Sequence, residues 1–292
     1  MITRWNSECL KCMTNKFLCD YPESASEPER MEYIRRLFGI LSSVKPEESS
    51  PVVMDDILKL QKEMFGISTD FTEIKQTFNK LMLEQEIRIA TDINSSDHPM
   101  KRAIQYVMTG NYIDFGVLEV DNDKLFELLG GADEQIIDER AFSELYADLK
   151  NAKKLAFLTD NCGEIVLDKL LIKAIQSEFP DLHVDIIVRG MPAVNDATME
   201  DAIQTGLTEI APVTGNGTSI AGTYLPKISE EASQIIHSAD LLISKGQGNF
   251  ESLQGCGLNI YYIFLCKCIL FTKRFHKKLY EGILINEKNL PH

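Results

Sequence analysis

The chain of 292 residues lacks a cationic surplus: 30 Lys and Arg stand against 44 Asp and Glu, a net charge of −14. A nucleic-acid binder needs a local cationic surface that displaces counterions from phosphates. The densest basic cluster here, Lys273, Arg274, His276, Lys277 and Lys278, is short and reads as the solvated face of a helix. Long apolar runs are also missing. The longest, 260–266, is far below the ~20 residues of a membrane span, and residues 1–12 hold no apolar core of a signal peptide. Seven cysteines, an odd number in a long chain, suit a reducing cytoplasm better than a disulfide framework. The expectation is a cytoplasmic protein that works on neither nucleic acid nor membrane.

Several ready-made templates are absent as well. Gly246-x-Gly248 meets Glu251 where a dinucleotide fingerprint wants its third glycine, and Gly215-x-Gly217 meets Ile220. There is no GxxxxGK[ST] phosphate loop and no GxSxG elbow. An aspartyl-phosphate motif of the DxD type would want an acid at position 162, which is Cys162. The five histidines (98, 183, 237, 276 and 292) lie outside the polar loops described below, which disfavours His-ligated zinc and a His-dependent triad.

What is present suffices for a large core. At 44% hydrophobic and 25% charged the composition is that of a globular protein, and at this size roughly three quarters of the unfolded surface can be buried. Residues 29–44 carry Met31, Ile34, Leu37, Phe38 and Leu41 at helical spacing, and 55–65 and 71–89 continue the pattern. Pro99 opens a further helix over 100–108, closed by Gly110-Asn111. These predict an N-terminal bundle of four or five helices over 1–115, with acidic loops at 20–28 and 45–51. From about 152, short apolar runs at 155–158, 184–188, 209–213, 241–244 and 259–265 alternate with helical stretches at 165–179, 199–205 and 229–238. That alternation predicts a three-layer α/β/α, Rossmann-like core with a mostly parallel sheet over 116–292.

In open parallel sheets ligands bind beyond the carboxyl ends of the strands, so the loops after 158, 188 and 244 are where chemistry is expected. Asp160, Asn161 and Asp196 offer two carboxylates and an amide oxygen, donors suited to Mg²⁺ or Mn²⁺; the alternative is that they cap the helices that follow. Lys245 is a charge partner for phosphate, with Gly246 and Gly248 allowing backbone N–H groups close to an anion, or else an exposed lysine before a turn. Asn249 and Glu251 would orient a sugar hydroxyl or a metal-bound water, or open the next helix as a capping pair. Cys9-x-x-Cys12 is half of a zinc site, completed by Cys19 or Cys266-x-Cys268 only if the fold joins the chain ends; reduced structural cysteines are the other reading.

With those loops in place the sequence resembles the DUF89 family of metal-dependent damage-control phosphatases, in its microbial, CxxC-bearing branch. The resemblance is carried by Cys9-Leu10-Lys11-Cys12, Gly110-Asn111-Tyr112-Ile113-Asp114-Phe115 and Asp160-Asn161-Cys162-Gly163-Glu164. It continues through Arg189-Gly190, Asn195-Asp196-Ala197-Thr198, Ser244-Lys245-Gly246-Gln247-Gly248-Asn249-Phe250-Glu251 and Cys266-Lys267-Cys268, and spans nearly the whole chain. It implies a helical domain on an α/β/α core, a divalent cation (Mn, Mg, Co or Ni) and hydrolysis of small phosphorylated metabolites such as sugar phosphates or damaged nucleotides. By position it implies a metal-ligand role for Asp160, Asn161 and Asp196 and a phosphate-binding role for Lys245. Asn111, Asp114, Arg189, Asn195, Asn249, Glu251 and Lys267 are further pocket candidates. The loop 214–223 resembles a Gly-bearing family loop of no assigned role. Two rival readings stand beside this one. One is an adenosylmethionine-dependent protein carboxyl methyltransferase, which the single glycine in 160–164 disfavours; the other is a non-catalytic metabolite-binding protein.

Overall fold

The computed structural model describes residues 4–68, 70–111 and 129–291. Five helices come first: α1 (Ser7–Phe17), α2 (Glu27–Ser43), α3 (Ser50–Phe65), α4 (Thr72–Ser95) and α5 (Pro99–Gly110). Ser26 and Glu29 close a reciprocal capping box that starts α2. The start of α3 corrects the expected loop at 45–51: the helix begins at Ser50 and takes Pro51 into its first turn, where a missing N–H costs nothing. No expectation covered α1, which buries only Met13 and Phe17, too few apolar residues to show a period.

After α6 (Glu139–Asn151) strands and helices alternate: β1 (Lys154–Leu158), α7 (Glu164–Glu178), β2 (His183–Val188), α8 (Met199–Gln204), β3 (Val213–Gly215), α9 (Glu230–Ser238), β4 (Leu241–Lys245), α10 (Gln247–Leu253), β5 (Ile260–Leu265), α11 (Ile269–Phe275) and β6 (Gly282–Asn286). The sheet order is β3-β2-β1-β4-β5-β6. The first five strands run parallel and β6 is antiparallel to β5. This is the expected mostly parallel α/β architecture, with two differences. The run 209–213 is not a strand: Leu207–Glu209 forms a 3₁₀ turn after Gly206, and β3 begins only at Val213. The edge strand β6 had no counterpart among the expected elements.

The sheet's two faces bury alternate residues, Leu155 and Phe157 on one side and Ala156 and Leu158 on the other. The first face is covered by α7 and also by α4 and α5, whose Met82, Ile89, Ile104 and Val107 join the same cluster. A separate core, built on Phe17, Tyr33, Leu37 and Ile57, holds α1 to α3 together. Among the described residues, α1 to α3 therefore share one hydrophobic core, and α4 and α5 pack into that of the sheet.

Register sets the level at which the chain leaves the sheet. Leu158 lies opposite Ile187 on one side and Ser244 on the other. The chain order reverses between β1 and β4, the crevice where such sheets bind ligands. Among the described residues no helix is long and apolar enough to cross a membrane.

Candidate active site

Two loops are stitched together by backbone before any side chain is counted. Cys162 N–H donates to the Asn195 carbonyl at 2.9 Å, Ala197 N–H to Asp160 at 2.7 Å, and Arg189 N–H to Ala197 at 2.9 Å. Asn161 and Asp196 thus form a bridge outside the named strands. Val194, in the same loop, takes a left-handed φ of 51°, a conformation that costs a β-branched residue about 1–3 kcal/mol.

Asp160, Asn161 and Asp196 come together on this frame and are nearly closed to solvent, Asp160 being 7% exposed. The Asp160 carboxylate accepts from Asn161 Nδ2 at 2.8 Å and from Asn111 Nδ2 at 2.9 Å. Asn161 Oδ1 accepts from Asn195 Nδ2 at 3.0 Å. Arg189 Nε donates to Asp196 at 2.5 Å, and another guanidinium nitrogen stands 3.7 Å from Asp160. That second nitrogen, Nη2, is buried with no hydrogen-bond partner. Asn111, at the end of α5, ties the helical layer to this cluster.

Beneath it lies a charge network of which the sequence discloses only Lys245. Glu164, on the first turn of α7, accepts from Asn111 and Asn161, both at 3.0 Å, and from Lys245 Nζ. Lys245 also donates to Asp168 at 3.0 Å and has 0% exposure. Strand β4 is buried along its whole length, so its last residue turns onto the α7 side, and Lys245 is absent from the cavity wall. Asn249 is likewise buried, donating to the carbonyls of Thr159 and Lys245. Thr223 donates to Asn249 and accepts from Arg189, which gives loop 214–223 a bracing place.

Burial pushes the Asp160 carboxyl up to about 8, with the charges of Asp196 and Glu164 adding to it and Arg189 and Lys267 opposing. Burial also raises Asp196, against the pull of Arg189. Glu164 goes the other way, because the Lys245 ammonium and its hydrogen bonds outweigh the cost of burial. Two repelling carboxylates beside an amide oxygen suit a hard divalent cation. No three Cys, His, Asp or Glu converge as a metal site among the described residues, so the amide of Asn161 is needed to complete the donor set.

A cavity of about 610 Å³ opens on this cluster. Asp160, Asn161, Asn195 and Asp196 line it, together with Gly248, Glu251, Lys267 and residues of α1. Gly246 has φ 82°, and a Cβ there would lie 2.0 Å from Asp160 Oδ2, so only glycine lets the chain pass. Cys9, Cys12 and Cys268 reach the cavity, whereas Cys266 is buried in the core on the other face of the sheet. Asp114 lies outside the described residues.

Residues 5–283 match the damage-control phosphatase ARMT1-like domain. An uncharacterised protein of Methanocaldococcus jannaschii is 31% identical over 274 residues, covering 89% of this chain and 88% of its own. A damage-control phosphatase of Pyrococcus horikoshii is 30% identical over 297 residues, covering 97% of each chain. A crystal structure of a DUF89 family protein from the same organism superposes with a TM-score of 0.79 at 25% identity, over 97% of this chain and 99% of that one. Damage-control phosphatases of this kind are generally metal-dependent. The chain belongs to the damage-control phosphatase ARMT1-like family and is a phosphatase.

Proposed function

We propose that the substrates are phosphate monoesters of small metabolites, sugar phosphates or damaged nucleotides, and that Asp160, Asn161 and Asp196 hold a Mg²⁺, Mn²⁺, Co²⁺ or Ni²⁺ ion. The observation that carries this is the convergence of two mutually repelling carboxylates and an amide oxygen on one wall of a cavity of about 610 Å³. That volume matches small-molecule sites. When bound, the cation supplies Lewis-acid polarisation of the phosphoryl oxygens.

The chain's own groups do the rest. Arg189 fixes Asp196 through Nε and keeps Nη2 buried near Asp160. Glu164 orients the amides of Asn111 and Asn161. Lys267, on the cavity lining, would meet the phosphate directly, and Lys245 acts from below by holding Glu164. Asp196 or Asp160 accepts the attacking water's proton. A cytoplasmic setting is supported by seven unpaired cysteines.

The test is phosphate release from a panel of sugar phosphates, nucleotides and an aryl phosphate under saturating Mn²⁺, Co²⁺ or Ni²⁺. Asp160→Ala is expected to lower turnover by about 10³-fold or more. Full activity in that variant would place the site elsewhere.

A further inference from the structure

Glu251 is a carboxyl group on the cavity wall that the phosphate-handling residues leave unused. It sits on α10, half-buried, and accepts from Gln247 Nε2 at 2.8 Å. Helix α10 starts where Gly246 abuts the Asp160 carboxylate. Five residues on, at ~1.5 Å rise per residue, Glu251 stands about 7–8 Å along the helix axis from that contact. Glu251 and Asp160 line the same cavity, so a phosphate monoester seated there has both carboxyl groups around it.

From this placement we propose that Glu251 is the general acid of the reaction, a catalytic residue that protonates the ester oxygen as it leaves phosphorus. The inference rests on the cavity holding a phosphate monoester. In the step, water attacks phosphorus, the P–O bond to the metabolite breaks, and its electron pair stays on the metabolite's oxygen. The Glu251 O–H bond breaks and a new O–H forms there, yielding a free alcohol. The attacking water's proton goes to a site carboxylate, and solvent reprotonates Glu251. Such help matters when the leaving group is an aliphatic alkoxide, a strong base. It matters little for an acidic phenol, which leaves unaided.

The surroundings strengthen the hold of Glu251 on its proton. Burial pushes its carboxyl up to about 7, partly held back by hydrogen bonds from Gln247 and from Ser50 at the start of α3. From α1 the Cys9 thiol feels its charge, and Glu8, Lys11, Cys12 and Lys16 lie on the same lining. From the segment after β5 come Lys267 and Cys268, the latter's thiol also raised in part by Glu251. Asp160 and Asp196 line the same cavity.

The experiment compares Glu251→Gln with wild type on a leaving-group series, from 4-nitrophenyl phosphate to a sugar phosphate, in the metal-loaded full chain. The variant is expected to lose about 10²–10⁴-fold in turnover of the sugar phosphate and less than about threefold on the nitrophenyl ester. Equal losses on both substrates, or no loss on either, overturn the proposal. The nitrophenyl rate also reports that the variant is folded. If that variant does not fold, wild-type pH profiles decide. The acid must be protonated, so sugar-phosphate turnover should fall as pH rises past about 7, while the nitrophenyl profile lacks that fall. Parallel profiles overturn the proposal. Absence of phosphate release from every ester by wild type strikes the reading of the cavity itself, and the acid with it.

Discussion

Lys245 sits with 0% exposure between the carboxylates of Glu164 and Asp168. Removing one member of such a buried set leaves uncompensated charge, at a cost of about 3–5 kcal/mol. Lys245→Met is therefore expected to lower the unfolding free energy by that amount in protein free of metal and substrate, measured by urea denaturation. A lysine whose task was only to hold a phosphate would leave that stability unchanged, so unaltered stability with weakened substrate binding would return Lys245 to direct contact. The difference shows what single residues disclose. Asp160, Asn161 and Asp196 are legible because each follows an apolar strand-like run at the end where ligands bind. Glu164 and Asp168 are not, because along the sequence they are only acids in an amphipathic helix. Their meaning comes from Lys245, which is 81 and 77 residues away in sequence.

At the level of elements, two glycines should respond with opposite signs. A Cβ at Gly246 would collide with the Asp160 carboxylate at the exit from β4. Gly246→Ala should cost about 1–3 kcal/mol through overpacking and about 10²-fold in turnover through displacement of Asp160. Gly39 lies inside α2 with nothing within 4 Å of its would-be Cβ. Gly39→Ala should stabilise by about 0.5–1 kcal/mol without touching kinetics. Denaturation curves and steady-state assays on both variants check the pair. Strands β1, β2, β4 and β5 could be read because both faces are covered and their residues are apolar without alternation. Strand β6 could not: Gly282–Asn286 is short and begins with glycine, and it gains its partner only by antiparallel pairing with β5. Helix α1 escaped for the related reason that a surface helix with two buried residues carries almost no period.

For the whole molecule, the net charge of −14 says little about the site, where Arg189, Lys245 and Lys267 balance several of the acids. The arrangement of cores says more. Helices α4 and α5 were expected to close an N-terminal bundle, yet they share the sheet's core, because the apolar stripe of a helix does not reveal which partner will cover it. We propose that the architectural boundary lies between α3 and α4. Helices α1 to α3, with their own core, join the rest through polar ties such as Ser49 to Ser252 at 3.1 Å and the Arg4 guanidinium to the Gln254 carbonyl at 2.6 Å. A small apolar contact of Val52 with Ile220 and Tyr224 joins them too. Leu37→Ala, fully buried in that smaller core, should cost about 2–5 kcal/mol and raise KM more than it lowers kcat, which Michaelis–Menten kinetics on a sugar phosphate would show.

That expectation follows from where the cavity lies. Of its lining, α1 belongs to the small core, and the loops at the strand ends belong to the large one. On the proposed site, the residues that handle phosphate are anchored in the larger core, while α1, from the smaller core, helps bound the room left for a metabolite. If the proposed site holds, changes in α1 to α3 retune which metabolites fit without disturbing the groups proposed to cleave them, an economical route by which one phosphatase scaffold diverges towards new substrates.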